Sequence, residues 1–126
     1  MTILEVGHSI SEVAASTGLT THTLRYYERE GLMLHPVDRA SSSHRSYTDA
    51  DLGWVLFLTK LRKTGLPIAG MRRYAELVRR GDDSYSERLQ LLRAHREAVV
   101  MQMDEMASSL AAIDYKIDLY TKEVQQ

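Results

Sequence analysis

The interpretation of this chain starts from one stretch, His22-Thr23-Leu24-Arg25-Tyr26-Tyr27-Glu28-Arg29-Glu30-Gly31-Leu32. In a helix, residues three or four positions apart lie on the same side, so this stretch has two chemically different faces. One face is cationic and rich in hydrogen-bond donors: His22, Arg25, Tyr26 and Arg29. The opposite face is apolar: Leu24, Tyr27 and Leu32. Such a helix suits a nucleic-acid groove, although a surface helix with solvated arginines has the same pattern.

A second helix is predicted directly before this one. Ser9-Ile10-Ser11-Glu12 is a capping-box sequence, in which the two outer side chains bond each other's free backbone N–H groups. Gly18 follows where that helix would end, and Thr20 or Thr21 can cap the next helix. A short helix, a glycine turn and a cationic second helix are typical of the helix-turn-helix motif, whose second helix enters the major groove.

The composition narrows the class of protein. The chain has 126 residues, 44% of them hydrophobic, which predicts one small globular domain with an appendage. Neither a membrane-spanning apolar run nor a signal-peptide pattern is present, so we expect a cytoplasmic location. The absence of cysteine excludes disulfides, thiolate metal sites and cysteine nucleophiles.

The charge is distributed unevenly, although the net charge is only −1. Residues 1–80 contain 11 Lys and Arg against 8 Asp and Glu, whereas residues 81–126 contain 5 against 9. Phosphate binding depends on local cationic density, so the net charge does not exclude DNA binding by the N-terminal part.

The sequence loses its helical period after Leu34. Residues 35–39 and 45–47 flank the polar tip Ala40-Ser41-Ser42-Ser43, which predicts either a β-hairpin or a flexible loop. In a hairpin, Arg39, His44 and Arg45 would be able to bind phosphates from a wing beside the helices.

Two further helices are predicted beyond this segment. Thr48–Asp51 can cap a helix that runs to about Thr64, and Pro67 suits the first turn of another that ends at Gly81. Trp54 and Phe57 are interpreted as packing residues rather than as a platform for stacked bases, because aromatic residues on helices usually lie in the core.

The tail has a regular heptad pattern that extends over five repeats. Its seam residues alternate in steps of three and four. They are Leu89, Leu92, Arg96, Val99, Met103, Met106, Leu110, Ile113, Ile117, Tyr120 and Val124. A lone helix of about 40 residues would be about 60 Å long and would expose this seam to water. We therefore expect a homodimer rather than a helix packed on its own domain.

Arg96 is the polar member of the seam. A charge in a coiled-coil core costs stability and can select the register or the partner. We expect Arg96→Leu to leave the protein dimeric and to raise its melting temperature. Alternatively, Arg96 marks the point where the coil leaves its partner.

Two other classes of protein are weighed against a DNA-binding regulator. A coiled-coil adaptor without DNA-binding function explains the tail but not the cationic helix. An enzyme lacks support, because the sequence offers no nucleophile–base pair, carboxylate pair or phosphate-binding glycine loop. The histidines have no close metal-ligand spacing, so neither a metal nor a cofactor is expected. They are His8, His22, His35, His44 and His95.

Taken in order, these elements resemble the MerR family of bacterial transcription regulators along essentially the whole chain. The matching residues are Ile10–Ala14, Thr23–Glu28, Gly31-Leu32, Arg45–Tyr47 and Leu61–Gly65. The resemblance implies a mainly α fold. A winged helix-turn-helix DNA-binding domain with two further helices (1–81) precedes a long C-terminal coiled-coil dimerisation helix (84–126). The wing departs from the family pattern, because Ser41-Ser42-Ser43-His44 replaces the glycine expected near its tip.

The resemblance also implies a mechanism and a set of contacts. Family members pair their terminal helices antiparallel, straddle a near-palindromic promoter operator, and bend and untwist it so that RNA polymerase can use the promoter. The DNA-binding residues that it implies here are Thr21, His22, Arg25, Tyr26, Arg39, Arg45, Tyr47 and Lys63. The dimerisation residues are Leu89, Leu92, Val99, Met103, Met106, Leu110, Ile113, Ile117 and Tyr120.

The effector is the least determined part of the interpretation. Phe57–Arg62 and Asp114–Ile117 resemble the aldehyde- and electrophile-responsive branch of the family, whose sensing cysteine would fall at about Lys60. Without a thiolate, modification by soft electrophiles is not expected. The remaining possibilities are a small organic effector or regulation by DNA binding and abundance alone.

Overall fold

A computed structural model describes residues 7–34, 38–39 and 45–126, of which 38, 39 and 45 are described by their backbone alone. The helices are α1 (Ile10–Thr17), α2 (Thr21–Arg29), α3 (Asp49–Lys63), α4 (Ile68–Arg80) and α5 (Tyr85–Val124), with a short 3₁₀ helix at Asp82–Ser84. The strands are β1 (Asp38–Arg39) and β2 (Arg45–Ser46). The chain forms two compact units, Met1–Leu89 and Gln90–Gln126.

The helix-turn-helix forms where the local sequence predicts it. The Ser9 side chain accepts a hydrogen bond from the Glu12 backbone, and the Glu12 side chain accepts one from Ser9 N–H. Gly18 ends α1 at φ +74°, a left-handed conformation that other residues rarely adopt. The Thr20 hydroxyl then caps α2 by accepting from Thr23 N–H. Between the two possible caps, the structure selects Thr20.

The wing is an antiparallel pair in which Asp38 lies opposite Ser46 and Arg39 opposite Arg45. A backbone bridge joins His8 to Tyr47, with N···O distances of 2.7 and 2.8 Å. This bridge holds β2 against the start of α1. The hairpin interpretation is confirmed for the two strands, whereas its tip at 40–44, including His44, lies outside the described residues, as does His35.

The core of the first unit lies beneath α2. Its largest fully buried side chains include Tyr27, Tyr47, Leu24, Leu32, Leu58 and Met71. Trp54 donates from Nε1 to the Leu32 carbonyl at 2.7 Å and stacks on Tyr74 with ring centroids 5.6 Å apart. The packing role predicted for Trp54 is confirmed. Phe57 also contacts Tyr74, but it remains 38% exposed.

The corner between α4 and α5 is held by polar contacts. Gly81 ends α4 at φ +90°, and the Ser84 hydroxyl donates to the Gly81 carbonyl at 2.7 Å. Arg88 donates to the same carbonyl at 2.7 Å and to the Ser84 hydroxyl at 2.9 Å. Carbonyls at a helix end lack intrahelical donors, and a cation there also complements the helix dipole.

Helix α5 continues without a break for 40 residues, and none of its residues is buried in the single chain. The predicted seam side chains of the second unit are largely exposed, including Met106 at 72% and Tyr120 at 60%. The long terminal helix that the heptads predict is therefore present, and its own chain leaves the seam accessible to a partner.

Candidate nucleic-acid interface

The two faces predicted for α2 are separated in the structure. His22, Arg25 and Arg29 are exposed, while Leu24 and Tyr27 are fully buried. Thr21 and Tyr26 lie between these extremes. The buried pair fixes the helix on the core, so the cationic side chains point to solvent, where a nucleic acid can reach them.

A shallow cavity of about 250 Å³ lies beside this face, lined by His22, Thr23, Tyr26 and Arg62. Arg62 comes from the last turn of α3 and is exposed, with its guanidinium 5.9 Å from the centre of the buried Tyr27 ring. The cavity joins a guanidinium, an imidazole and two hydroxyls, all of which donate hydrogen bonds to phosphate oxygens.

Arg62 was not among the predicted contacts, whereas its neighbour Lys63 was. Lys63 is exposed but does not line the cavity. Consecutive helical residues point about 100° apart, so the rotation of α3 relative to α2 decides which of the two cationic side chains lies at the cavity. The Leu61-Arg62-Lys63-Thr64-Gly65 motif indicated that this part of α3 matters, but it did not distinguish Arg62 from Lys63.

Tyr47 corrects the predicted contact set. Its side chain is fully buried (0% exposed), and its hydroxyl donates to Glu28 Oε2 at 3.3 Å. A side chain enclosed by the core cannot reach DNA directly, so Tyr47 anchors β2 to α2 instead. Arg39 and Arg45 pair through their backbones in the wing, and their side chains lie outside the description. Their phosphate contacts stay predictions.

Two arginines of α4 hold the C-terminal end of α2. Arg79 donates from Nε to the Leu34 carbonyl at 3.2 Å and from its terminal nitrogen to the Gly31 carbonyl at 2.5 Å. Arg72 forms an ion pair with the Glu30 carboxylate and donates to the Glu30 carbonyl at 3.1 Å. Their guanidinium groups therefore bind the protein itself, and they fix where α2 ends and the wing begins.

The His8 side chain contacts carboxylates at the start of α3 and on α1. Its Nε2 lies 2.5 Å from Asp49 Oδ1 at the start of α3, and its Nδ1 lies 3.6 Å from Glu12 Oε2 on α1. The hydrogen bond to the Asp49 carboxylate raises the pKa of His8 above its usual value. Desolvation of the imidazole lowers this pKa by a smaller amount. The pKa of Glu12 is lowered, first by its hydrogen bond from the Ser9 backbone.

Neither a metal site nor a membrane span is found within the described parts of the chain. No group of three or more His, Asp or Glu side chains there is arranged to hold a metal ion. Among the same residues, no helix combines the length and apolar character needed to cross a membrane.

Comparison with known proteins identifies this arrangement. The sequence profile of the MerR HTH family of regulatory proteins matches residues 8–77, which include α1, α2, both strands, α3 and most of α4. The chain belongs to the MerR family. It is thus a DNA-binding transcription regulator with a mainly α fold, as the sequence predicted, and MerR regulators are not enzymes.

Two bacterial transcription regulators are similar in sequence to most of this chain. An uncharacterised HTH-type transcriptional regulator of Haemophilus influenzae is 34% identical over 115 residues, covering 91% of this chain and 84% of the relative. The regulator AdhR of Bacillus subtilis is 38% identical over 92 residues, covering 73% of this chain and 65% of AdhR.

Solved structures agree in fold as well. HiNmlR, a MerR family regulator lacking the sensor domain and crystallised bound to promoter DNA, superposes with a TM-score of 0.82 at 34% identity, covering 93% of this chain and 92% of HiNmlR. A MerR family protein of Listeria monocytogenes gives 0.83 at 35% identity, covering 90% and 85%.

Proposed function

We propose that this protein binds promoter DNA as a homodimer, with α2 of each subunit in the major groove. The observation that carries the proposal is the solvent-facing side of α2. Arg25 is exposed and Tyr26 is partly exposed there, whereas Leu24 and Tyr27 on the opposite side are buried in the core. The major groove is wide enough to admit an α-helix. Support also comes from the similar regulator HiNmlR, whose structure was determined on promoter DNA.

The side chains of this face divide into two roles. Thr21 and His22, at the N-terminal end of α2, are the candidates for base contacts, because a recognition helix reads bases with its first turns. Tyr26 and Arg62 line the cavity beside α2. Arg25 is exposed on the same helix as Tyr26, and all three side chains are assigned to phosphates. Further phosphate contacts by Lys63 and by the wing residues Arg39 and Arg45 complete the proposal.

Dimerisation follows from the exposed seam of α5. Apolar surface transferred out of water contributes about 25 cal/mol per Å², and the seam presents large side chains along the whole second unit. A two-fold dimer carries two α2 helices, so its operator is expected to be near-palindromic.

Regulation in this proposal acts through DNA shape. The dimer bends and untwists a promoter whose elements are spaced too far apart, which brings them into reach of RNA polymerase. Such a protein works with chromosomal DNA in the bacterial cytoplasm. A cysteine-free chain cannot sense through a thiolate, so control falls to a small organic effector or to DNA binding and abundance alone.

A gel-shift titration on the protein's own promoter tests DNA binding. The double variant Arg25→Ala/Tyr26→Ala is expected to abolish a salt-dependent shift, because contacts to phosphates release counterions. Arg73→Ala is the matched control, since Arg73 is an exposed arginine of α4 that pairs with Glu87. Wild-type affinity is expected for this control.

Two results would contradict the proposal. Equal affinity of the double variant and the control would remove α2 from the interface. Failure of the wild-type protein to shift DNA at low salt would favour the second candidate, a coiled-coil adaptor, for which the exposed seam of α5 is the supporting observation. Met106→Glu separates DNA binding by α2 from association through α5. The added charge in the exposed seam is expected to give monomers whose DNA-binding unit still folds.

A further inference from the structure

Three methionines lie close together on α5: Met101, Met103 and Met106. Their side chains are 61%, 65% and 72% exposed in the single chain. We propose that Met103 and Met106 are sites of reversible oxidation by hydrogen peroxide, and that their sulfoxides prevent two copies of α5 from pairing. The inference rests on the proposed homodimer and adds a chemical signal that controls it.

The sulfur chemistry of this chain is that of thioethers alone, because the chain contains no cysteine. The lone pair of a methionine sulfur attacks one oxygen of the peroxide, the O–O bond breaks, and the departing hydroxide takes up the proton and leaves as water. The thioether is oxidised by two electrons to a sulfoxide, and the peroxide is reduced to water. Methionine sulfoxide reductases restore the thioether, so the modification is reversible.

Burial makes this oxidation selective. Met33 and Met71 lie in the core of the first unit and are only 5% and 1% exposed, so peroxide has little access to their sulfur atoms while the unit is folded. Met1 lies outside the described residues. Among the methionines that the structure describes, the three on α5 are therefore the preferred targets.

The two seam methionines occupy the middle of α5. The helix runs from Tyr85 to Val124, so its midpoint lies between residues 104 and 105, and Met103 and Met106 stand at equal distances on either side. When two such helices overlap fully, the middle of one meets the middle of the other, whether they run parallel or antiparallel. Four thioethers then come together at one level of the seam, where they pack as flexible apolar side chains.

Oxidation makes this level of the seam polar. A sulfoxide oxygen accepts hydrogen bonds, whereas the neighbouring seam side chains, Val99 and Leu110, offer no donor. Each sulfoxide buried without a partner is expected to weaken dimerisation by about tenfold, so four of them should weaken it by at least about a hundredfold. The oxidised chain then stays single with one α2 helix, and it loses affinity for a two-fold operator.

Pairing and oxidation exclude each other at Met103 and Met106. Their exposure is that of the single chain, and a dimer encloses both side chains in its seam. Peroxide therefore reacts with unpaired chains or with helices that have separated locally. Met101 lies two residues before Met103 and points about 200° away from it around the helix, so it stays outside the seam. Its rate of oxidation is expected to be independent of pairing.

Peptide mass spectrometry after mild peroxide treatment of the full chain tests this selectivity. As protein concentration rises and dimers form by mass action, oxidation of Met103 and Met106 is expected to slow, whereas Met101 reacts at a constant rate. Met33 and Met71 should remain largely unmodified. Equal rates for Met71 and Met103, or rates at Met103 and Met106 that do not change with protein concentration, would overturn the inference.

The dimer dissociation constant, measured by light scattering before and after peroxide, tests the consequence. It is expected to rise at least about a hundredfold in the wild-type protein and to recover after treatment with methionine sulfoxide reductases. The double variant Met103→Leu/Met106→Leu keeps the seam apolar and should show no rise. Met101→Leu is the matched control and should behave like wild type. The ratio within each variant removes any difference in starting affinity.

A variant that imitates the sulfoxide tests the same step without an oxidant. Glutamine is unbranched and ends in a polar group, so Met103→Gln/Met106→Gln is expected to be monomeric at concentrations where wild type is a dimer. Met101→Gln should remain dimeric. Unchanged fluorescence of the buried Trp54 is expected in both variants and in the oxidised protein, because the DNA-binding unit stays folded.

The outcomes separate this inference from the proposed function. An oxidised wild-type protein that dimerises as tightly as before, or an equal loss in the double leucine variant, would overturn the inference and leave the homodimer intact. A change in Trp54 fluorescence on oxidation would indicate general damage and would contradict the selectivity. A wild-type protein that is monomeric before oxidation would overturn the homodimer and this inference with it. DNA binding is tested separately by the gel shift on α2 variants.

Discussion

Replacing Tyr27 with Phe is expected to stabilise the DNA-binding unit, although Tyr27 lies at the centre of its core. The Tyr27 side chain is fully buried, and its hydroxyl has no hydrogen-bond partner among the residues that the structure describes. A hydroxyl buried in this way costs about 1–3 kcal/mol, while phenylalanine keeps the ring and its packing. We expect the free energy of unfolding to rise by about 1 kcal/mol, or the melting temperature by about 4–8 °C.

Tyr47→Phe is the matched control, because Tyr47 is equally buried but its hydroxyl donates to Glu28. Loss of that hydrogen bond is expected to lower the free energy of unfolding by about 1 kcal/mol. Urea unfolding followed by the fluorescence of Trp54, the single tryptophan, measures both variants. Protein concentration is held constant because dimerisation contributes to stability. A decrease of about 1 kcal/mol or more for Tyr27→Phe would show that its hydroxyl is bonded and would refute the reasoning.

Three further predictions concern the interface, pH and the turns. Arg62→Ala is expected to weaken DNA binding and to reduce the slope of log K against log salt by about 1, as loss of one phosphate contact requires; an unchanged slope in a salt titration would remove Arg62 from the interface. The raised pKa of His8 means that its contribution to stability is fully present below the unfolded pKa of about 6.5 and is lost as pH rises through the folded value. The stability gap between wild type and His8→Gln in urea unfolding should therefore narrow with rising pH, and a constant gap would argue against the Asp49 pairing. Gly18→Ala is expected to cost about 1 kcal/mol because φ is +74°, whereas Gly53→Ala, within α3 and with open space around the added Cβ, should stabilise by about 0.5–1 kcal/mol; thermal melts that give both changes the same sign would contradict this.

The helix boundaries were predictable because the signals that set them are local. Ser9 and Glu12 cap α1 through each other's backbone, and Thr48 caps α3 through Asp51 N–H only three residues away. These interactions need no knowledge of the fold. The heptad pattern of α5 is likewise a property of spacing alone, so the long terminal helix could be predicted from the chain.

The candidate interface was predictable only in part. The exposure of Arg25 and His22 followed from the helical period, because Leu24 and Tyr27 had to face the core. Arg62 did not follow, since its place beside α2 depends on how α3 packs.

Tyr47 also shows that a motif position alone does not reveal whether a side chain is exposed. Its motif position suggested a DNA contact, but the ring fills the core beneath α2. Arg79 likewise bonds a carbonyl 45 residues away in the chain, which no local pattern signals.

The sequence by itself determined the order of the helices, the two faces of α2 and the seam of α5. Caps, turn glycines and apolar periods act over a few residues, so they can be recognised in the sequence without knowledge of the fold. Only the tertiary structure decided which aromatic and cationic side chains remain available to DNA. That outcome depends on packing between distant elements: burial removed Tyr47 from the surface, the α4 arginines became bound to the end of α2, and Arg62 was brought beside Tyr26.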